Sequence, residues 1–295
     1  MIRYEGKIIV IAGPTASGKS SIAINLAKQL NGYIINADSR QIYKHIDIGS
    51  AKPTPDKILS ENVWVIDGVK HFLFDFVNPK EQFSLFKYQK LVSNILNTEK
   101  GIPILVGGTG LYIDSVVFNY NLKKREHIDD GELSELSIEQ LQEKASKYLD
   151  DMTESDRRNK HRLIRAIQRE GLGRSKGDML DNIYFVIDIE KDTLKERIME
   201  RIDDMFKKGL LEENKKLLEM GYSYKDPGLN SIGYKEFEEY FNNSSTLEEV
   251  KQNIYSNTVA YAKRQRTWFK RNKGSIWSSS YEEISQLASN FITGV

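Results

Sequence analysis

Residues 8–20 read Ile-Ile-Val-Ile-Ala-Gly-Pro-Thr-Ala-Ser-Gly-Lys-Ser, an apolar run that halts at a glycine-rich turn and resumes as a helix. The segment Gly13-Pro14-Thr15-Ala16-Ser17-Gly18-Lys19-Ser20 fits G-x-x-x-x-G-K-[ST] in the strand–loop–helix setting that this pattern needs. Glycines let backbone N–H groups curl round phosphate oxygens, and the start of a helix adds a partial positive charge. Lys19 supplies a full charge, and the Ser20 hydroxyl suits a Mg²⁺ ion. At ordinary glycine frequency a chance match in a chain of this length arises about once in a hundred. The loop therefore reads as a site for a di- or triphosphate, and it requires a buried strand behind it and a helix in front.

The rest of the first half supplies that setting. Tyr33–Asn36 and Ile102–Val106 read as further short strands, and Ser20–Leu30 and Phe83–Glu99 as helices. Strands alternating with helices predict an α/β fold, a parallel sheet flanked by helices, with ligands at the carboxyl ends of the strands. From residue 123 to about 176 the pattern holds only polar helical segments, before the strand Tyr184–Ile189 resumes the sheet. The spacing predicts a discontinuous core, 1–119 and 180–295, interrupted by an all-helical insertion at 120–179. The remainder is expected to be mainly helical, with segments at 192–208 and 211–220 and a long helix ending near Arg271.

Composition narrows the function classes. The chain has 295 residues, 39% hydrophobic and 29% charged, which suffices for a core and excludes a disordered or collagenous chain. It has no cysteine, which excludes disulfides, thiolate metal sites and cysteine nucleophiles. No apolar run approaches the roughly 20 residues that span a bilayer, and the stretch after the amino terminus is too short for a secretory signal. A cytoplasmic, monomeric protein with no membrane partner is expected. His45, His71, His127 and His161 show no metal-ligand spacing, although His161 stands beside a basic stripe.

Charge is balanced in sum, 43 basic against 42 acidic residues, yet segregated in sequence. Residues 129–154 hold nine acidic and two basic side chains, 154–176 hold eight basic and three acidic, and 251–275 hold seven basic and none acidic. A polyanion responds to the local field, so the neutral total leaves nucleic acid open as a partner. If 158–169 is one helix, Arg158, Arg162, Arg165 and Arg169 fall within about 60° of one another, opposite Leu163 and Ile167. In the last long helix Lys263, Arg264, Arg266, Lys270 and Arg271 share a face opposite Tyr261, Ala262, Trp268 and Phe269. Both basic faces are expected to meet a phosphate backbone; a merely solvated face is the alternative.

The loop alone does not fix the reaction. Nucleotide hydrolases and kinases usually place an acidic Mg²⁺ residue after a hydrophobic strand. Here Ile102–Val106 runs instead into Gly107-Gly108-Thr109-Gly110-Leu111-Tyr112, and the nearest acidic candidate is Asp38. These residues, with Asp38-Ser-Arg-Gln-Ile-Tyr43, Asp47-Ile-Gly-Ser-Ala-Lys-Pro53, His161-Arg-Leu-Ile-Arg-Ala166, Ile232-Gly-Tyr-Lys-Glu236 and Ala262-Lys-Arg-Gln-Arg-Thr-Trp-Phe269, resemble the tRNA dimethylallyltransferase family in its order along nearly the whole chain. Asn230, where a glutamine is common, and the segment 156–161 depart from the pattern.

The resemblance implies a P-loop-kinase-like core whose helical insertion grips the anticodon stem. It also implies transfer of a dimethylallyl group from its diphosphate to N6 of adenine 37, beside the anticodon of tRNA. The phosphate loop, with Lys19, Thr15 and a Ser20-bound Mg²⁺, would then stabilise the departing diphosphate. Arg197 or Arg201, four apart on one predicted helix face, would add a guanidinium, unless both are solvated. Asp38 would take the amine proton, with a role as an N-cap or as an outer partner of the Mg²⁺ ion as the alternative. Asp38, Ser39, Arg40, Gln41 and Thr109 would face the extruded adenine and its neighbours; Arg158, His161, Arg162, Arg165, Lys263, Arg264 and Arg266 would face the RNA backbone. Plain turn chemistry is the alternative for Thr15 and Gln41, and Tyr112, Trp268 and Phe269 either wall the prenyl pocket or belong to the core. A small-molecule kinase, an adenylate prenyltransferase and a nucleotide-gated RNA-binding protein are the rival readings. They leave unexplained, respectively, the basic faces, the insertion, and Asp38 with the 107–112 segment.

Overall fold

The computed structural model describes residues 1–122, 131–168 and 175–294. Eight strands, β1 (Ile8–Ala12), β2 (Gly32–Asn36), β3 (Lys57–Ser60), β4 (Val63–Ile66), β5 (Val69–Phe72), β6 (Ile102–Gly107), β7 (Asn182–Ile187) and β8 (Ile276–Ser278), form one sheet in the order β3-β4-β5-β2-β6-β1-β7-β8. Helices α1 (Lys19–Leu30), α2 (Leu85–Thr98) and α3 (Gly110–Val117) belong to the first half. Then come α4 (Gly131–Glu135), α5 (Ile138–Lys144), α6 (Glu154–Arg157) and α7 (Lys160–Gln168). After β7 follow α8 (Lys191–Lys207), α9 (Leu210–Glu219), α10 (Phe237–Phe241), α11 (Leu247–Phe269) and α12 (Tyr281–Thr293).

The chain divides into two compact units. One comprises Ile2–Asn119 with Met179–Val295, the other Tyr120–Asp178 with Met1. In the larger unit the period of two along each central strand sorts side chains between two cores. Ile8, Val10 and Ala12 of β1, with Tyr184 and Val186 of β7, pack on one face with Tyr88 and Val92 of α2 and Ile113 and Val116 of α3. Ile9, Ile11, Phe185 and Ile187 pack on the other with Ala23, Leu26 and Ala27 of α1 and Ile284 and Ala288 of α12. Both faces are covered, which is why β1 is apolar at every position rather than alternating. A third core joins Leu194, Ile198 and Ile202 of α8 to Val250 and Ile254 of α11, Phe237 of α10, and Ile42 and Ile46 after β2.

The sheet is not wholly parallel. β3, β4 and β5 form an antiparallel meander at one edge, and only β5 joins the parallel set, beside β2. Its hairpin turns on Asp67 and Gly68, both at positive φ (50° and 76°), the geometry of a two-residue type I′ connection. The Asp-Gly pair between Val63–Ile66 and Val69–Phe72 carried that signal in the sequence. β8 and α12 close the opposite side.

In the smaller unit, Leu141, Ala145, Met152, Leu163, Ile164 and Ala166 make a core of their own. The helix expected to run through residues 158–169 is broken. α6 ends at Arg157, and Asn159 starts α7 by accepting the Arg162 N–H on its side chain at 3.2 Å and the Leu163 N–H on its carbonyl. Asparagine satisfies the first-turn donors of a helix better than it continues one, so the chain restarts there. Arg158 therefore does not share a helix with Arg162 and Arg165. Arg169 and His127 lie outside the described residues.

Phe185, fully buried in β7 between β1 and β8, is the clearest single test of this packing. Phe185→Ala is expected to lower stability by about 3–5 kcal/mol, measured as the shift in the urea unfolding midpoint at unchanged slope.

Candidate active site

Register fixes where the site is. Ala12 lies opposite Gly107 and Val186, and Asn36 opposite Val106. The segments leaving β1, β2, β6 and β7 thus emerge side by side at the carboxyl edge. Ala37 N–H donates to the Val106 carbonyl at 2.7 Å and Thr109 N–H to the Ala37 carbonyl at 3.1 Å, tying the β2 and β6 ends together. Ser39 N–H donates to Thr109 Oγ1 at 3.0 Å, a second tie.

The Gly13–Ser20 loop leaves β1 and wraps into α1. Gly18 adopts a left-handed conformation (φ 84°), and so does Ala16 (φ 60°). Alternation of this kind turns successive N–H groups toward one centre. Gly18 at the start of α1 offers no capping side chain, which leaves the first N–H groups of the helix without a cap from that position. Lys19 Nζ donates to the Pro14 carbonyl at 3.1 Å. Burial pushes the Lys19 ammonium down to about 8, against the opposing pull of the Asp38 carboxylate; the Arg201 charge pushes it further down. Ser20 is exposed at the first turn of α1.

Thr15 is held from two directions. Its N–H donates to Gln265 Oε1 at 2.9 Å, and Arg201 Nη1 donates to its hydroxyl at 2.8 Å. Burial lowers the Arg201 pKa and Asp38 opposes that too. Arg197, one turn earlier on α8, is exposed, so of the two arginines it is Arg201 that the fold brings to the loop.

Asp38 stands just past β2. Its N–H donates to Asn36 Oδ1, and its own Oδ1 accepts the Arg40 N–H at 2.9 Å. This Asx turn fixes the carboxylate through one oxygen. Tyr261 of α11 is a neighbour: burial pushes its phenol up to about 12, with the Asp38 charge acting in the same direction. Arg40 is committed through Nη1 to the Pro227 carbonyl at 2.9 Å, and Gln41 donates its amide to the Ser50 and Ala51 carbonyls at 3.2 and 3.0 Å. Gln41 thus serves the turn that follows it.

That turn contains Asp47-Ile-Gly-Ser-Ala-Lys-Pro53, and an acid that sequence reasoning passed over organises it. Glu213 accepts the N–H groups of Asp47, Ile48 and Gly49, with Tyr234 OH at 2.6 Å. Lys52, its side chain buried, bonds Asp47 and the Tyr43 carbonyl and pairs with Asp75. A lone glutamate 164 to 166 residues downstream of the backbone groups it holds has no local signature.

The two basic faces come out differently. On α11 Lys263 and Arg264 are exposed, while Arg266 is not a free cation. It pairs with Asp188 at 2.6 Å and donates to the Ile189 carbonyl at 2.9 Å, fastening the end of β7. Trp268 packs on Gly110 and donates to Asp114 at 2.8 Å, Phe269 lies in the core, and Tyr112 stacks on Tyr88 at 4.1 Å. On α7 His161, Arg162 and Arg165 are exposed. Arg162 meets Asp156 at 3.6 Å and Arg158 meets Glu154 at 3.3 Å, exposed pairs of the kind that hold a side chain only weakly. Arg165 forms no ion pair among the described residues.

A family model described as IPP transferase matches residues 41–272. The chain belongs to the IPP transferase family. It is 37% identical over 299 residues to a tRNA dimethylallyltransferase of Acetivibrio thermocellus, covering 93% of this chain and 92% of that one. To the tRNA dimethylallyltransferase of Alkaliphilus oremlandii it is 36% identical over 306 residues, covering 96% and 95%. The crystal structure of the full-length tRNA isopentenylpyrophosphate transferase of Bacillus halodurans matches it with a TM-score of 0.73 and 32% identity, over 98% of this chain and 97% of that one. This IPP transferase family member is an enzyme of the prenyltransferase type. The family model begins after the phosphate loop and Asp38; the relatives match over nearly all of the chain. Among the described residues no helix is long and apolar enough to cross a membrane.

Lys19 gives a pH test of the site. Its folded pKa lies below the ordinary lysine value, so the folded state gives up a proton that the unfolded chain keeps. The resulting destabilisation is fully present below about pH 8 and is relieved as pH rises toward about 10. Lys19→Met should therefore be more stable than the parent at pH 7, with an advantage that shrinks between pH 8 and 10, read from urea unfolding of both proteins at each pH.

Proposed function

We propose that this chain transfers a dimethylallyl group from dimethylallyl diphosphate to N6 of adenine 37, beside the anticodon in tRNA. The observation that carries this reading is the convergence of Lys19 and Thr15 of the phosphate loop with Arg201 of α8, which donates to the Thr15 hydroxyl, near Asp38, whose charge acts on both cations. Family membership supplies the reaction class; this convergence supplies roles.

The C1–O bond of the donor breaks as the bond from N6 to C1 forms, and its electron pair leaves with the diphosphate. The catalytic need is to stabilise that anion in a site where water is scarce. The loop N–H groups, Lys19, the Thr15 hydroxyl and Arg201 are donors already in place, so little reorganisation is needed as the charge develops. The amine is a poor nucleophile because its lone pair is delocalised into the purine. Asp38, anchored through Oδ1, accepts the N6 proton. Positioned bases of this kind contribute about 10²- to 10⁴-fold.

Mg²⁺ suits this donor set. It favours hard oxygens and keeps several waters, so one hydroxyl and substrate phosphates suffice. Ser20, exposed at the first turn of α1, is the residue that would hold it, beside the diphosphate. When bound, the ion would neutralise phosphate charge.

Adenine must leave its stack to meet Asp38. Ser39 and Thr109, linked to each other beside Asp38, are the polar groups assigned to its edge. The unit Tyr120–Asp178 is assigned to the anticodon stem, through Arg162 and Arg165 with His161 alongside. Lys263 and Arg264 add backbone contacts. Arg266 is assigned to holding β7 rather than RNA.

Purified protein with Mg²⁺ and labelled dimethylallyl diphosphate should place label in unmodified tRNA and none in AMP or ATP; label in AMP would move the assignment to an adenylate prenyltransferase. Asp38→Asn should lower turnover by about 10²-fold or more while tRNA affinity stays within about twofold. A large affinity loss would contradict its role as base. Arg162→Ala combined with Arg165→Ala should weaken tRNA binding and reduce the slope of log affinity against log salt by about 1–2; an unchanged slope would assign both side chains to solvent.

A further inference from the structure

Of the five buried positions on α11, Val250, Ile254, Ala262, Gln265 and Phe269, only Gln265 is polar. A buried amide must satisfy both a donor and an acceptor, and here the two go to different loops. Oε1 accepts the Thr15 N–H at 2.9 Å, and Nε2 donates to the Gly108 carbonyl at 2.9 Å. The glycines after β6 fit this arrangement. A Cβ on Gly108 would run into the Gln265 amide nitrogen, and one on Gly110 into the Trp268 indole. The glycine-rich turn after β6 is thus shaped to admit α11, and α11 in turn grips the phosphate loop.

We propose that Gln265 is a positioning residue that holds Thr15 against the β6 loop, so that the Thr15 hydroxyl, bonded by Arg201 from α8, faces the leaving diphosphate. This rests on the reading of the Gly13–Ser20 loop as a diphosphate cradle. The amide is suited to the task because it donates and accepts at one planar end. Asparagine is one methylene too short to reach both partners. Glutamate keeps the acceptor for Thr15 but presents an oxygen to the Gly108 carbonyl unless it is protonated. Gln265 does not touch substrate in this scheme; it sets where Thr15 sits, and misplacing a reacting arrangement by about 1 Å costs on the order of 100-fold.

The test uses the full chain with two substitutions. In Gln265→Met, inorganic pyrophosphate affinity in the presence of Mg²⁺ should fall about tenfold and kcat about 10- to 100-fold, with tRNA affinity within about twofold of the parent. In Gln265→Glu, the ratio of its kcat to that of the parent should rise as pH is lowered from 8 to 6. Burial favours the protonated carboxyl, which again donates to Gly108 while accepting from Thr15. A folded Gln265→Met with parental pyrophosphate affinity and kcat overturns the proposal. If Gln265→Met does not fold, Gln265→Glu decides, and a ratio that does not change with pH overturns it. A parent protein that binds no pyrophosphate fails the cradle reading, and the clamp falls with it. A parent that binds pyrophosphate and labels tRNA beside an undisturbed Gln265→Met refutes the clamp alone.

Discussion

Two cations with no carboxylate in direct contact sit at the carboxyl edge of the sheet, and the rest of the site is arranged around that cost. Lys19 bonds a carbonyl and Arg201 a hydroxyl. Neither forms an ion pair within 4 Å among the described residues. Burial pulls both pKa values down, and the one charge that resists this for both is Asp38. A closer carboxylate would have satisfied the cations and, on the proposed reading, blocked the place of the anion. Removing the charge from Asp38 would take away the one carboxylate that offsets burial for both cations. On the proposed reading the same carboxylate serves electrostatic balance and proton acceptance, and a diphosphate at the loop would bring the charge that the protein itself withholds.

Holding such a site needs rigid supports that come from far along the chain. β1, β2, β6 and β7 place the loops in register, but register sets backbone ends and not side chains. Thr15 is located by α8 and α11, contributed by residues 201 and 265. The turn after β2 is located by Glu213 of α9 and by Tyr234. The C-terminal helices thus act as a scaffold for N-terminal loops, which accounts for a continuous apolar core joining Ile42 and Ile46 to α8, α10 and α11.

The sequence was most legible where one short segment carries its own physics. β1, the phosphate loop and α1 could be read residue by residue, because strand burial, glycine geometry and helix start all bear on thirteen consecutive positions. β2, β6, β7, α2 and α8 followed from period and length to within one or two residues of their ends. The β3–β5 meander was legible in principle through Asp67-Gly68, but its alternation is short and one strand, Lys57–Ser60, is exposed throughout. The broken helix at Asn159 shows the limit of angular arithmetic: four arginines at helical spacing satisfy the periodicity, while a single capping residue decides whether the helix exists. Gln265 and Glu213 were invisible because their meaning lies in partners 250 and 166 positions away.

Arg266 shows why charge counts alone could not sort the cations of α11. Lys263, Arg264 and Arg266 are neighbours in a run without acidic residues, and by composition they are equivalent. What separates them is the helix face. Arg266 lies on the side that meets the end of β7, where Asp188 and the Ile189 carbonyl need a donor, and its planar fork serves both. Lys263 and Arg264 point away from that junction and stay exposed. A basic run is thus divided by packing into one member that fastens the end of β7 and others that stay exposed. The division follows from where the carboxylate partner stands in the fold, a fact that lies 78 residues upstream of the arginine it claims.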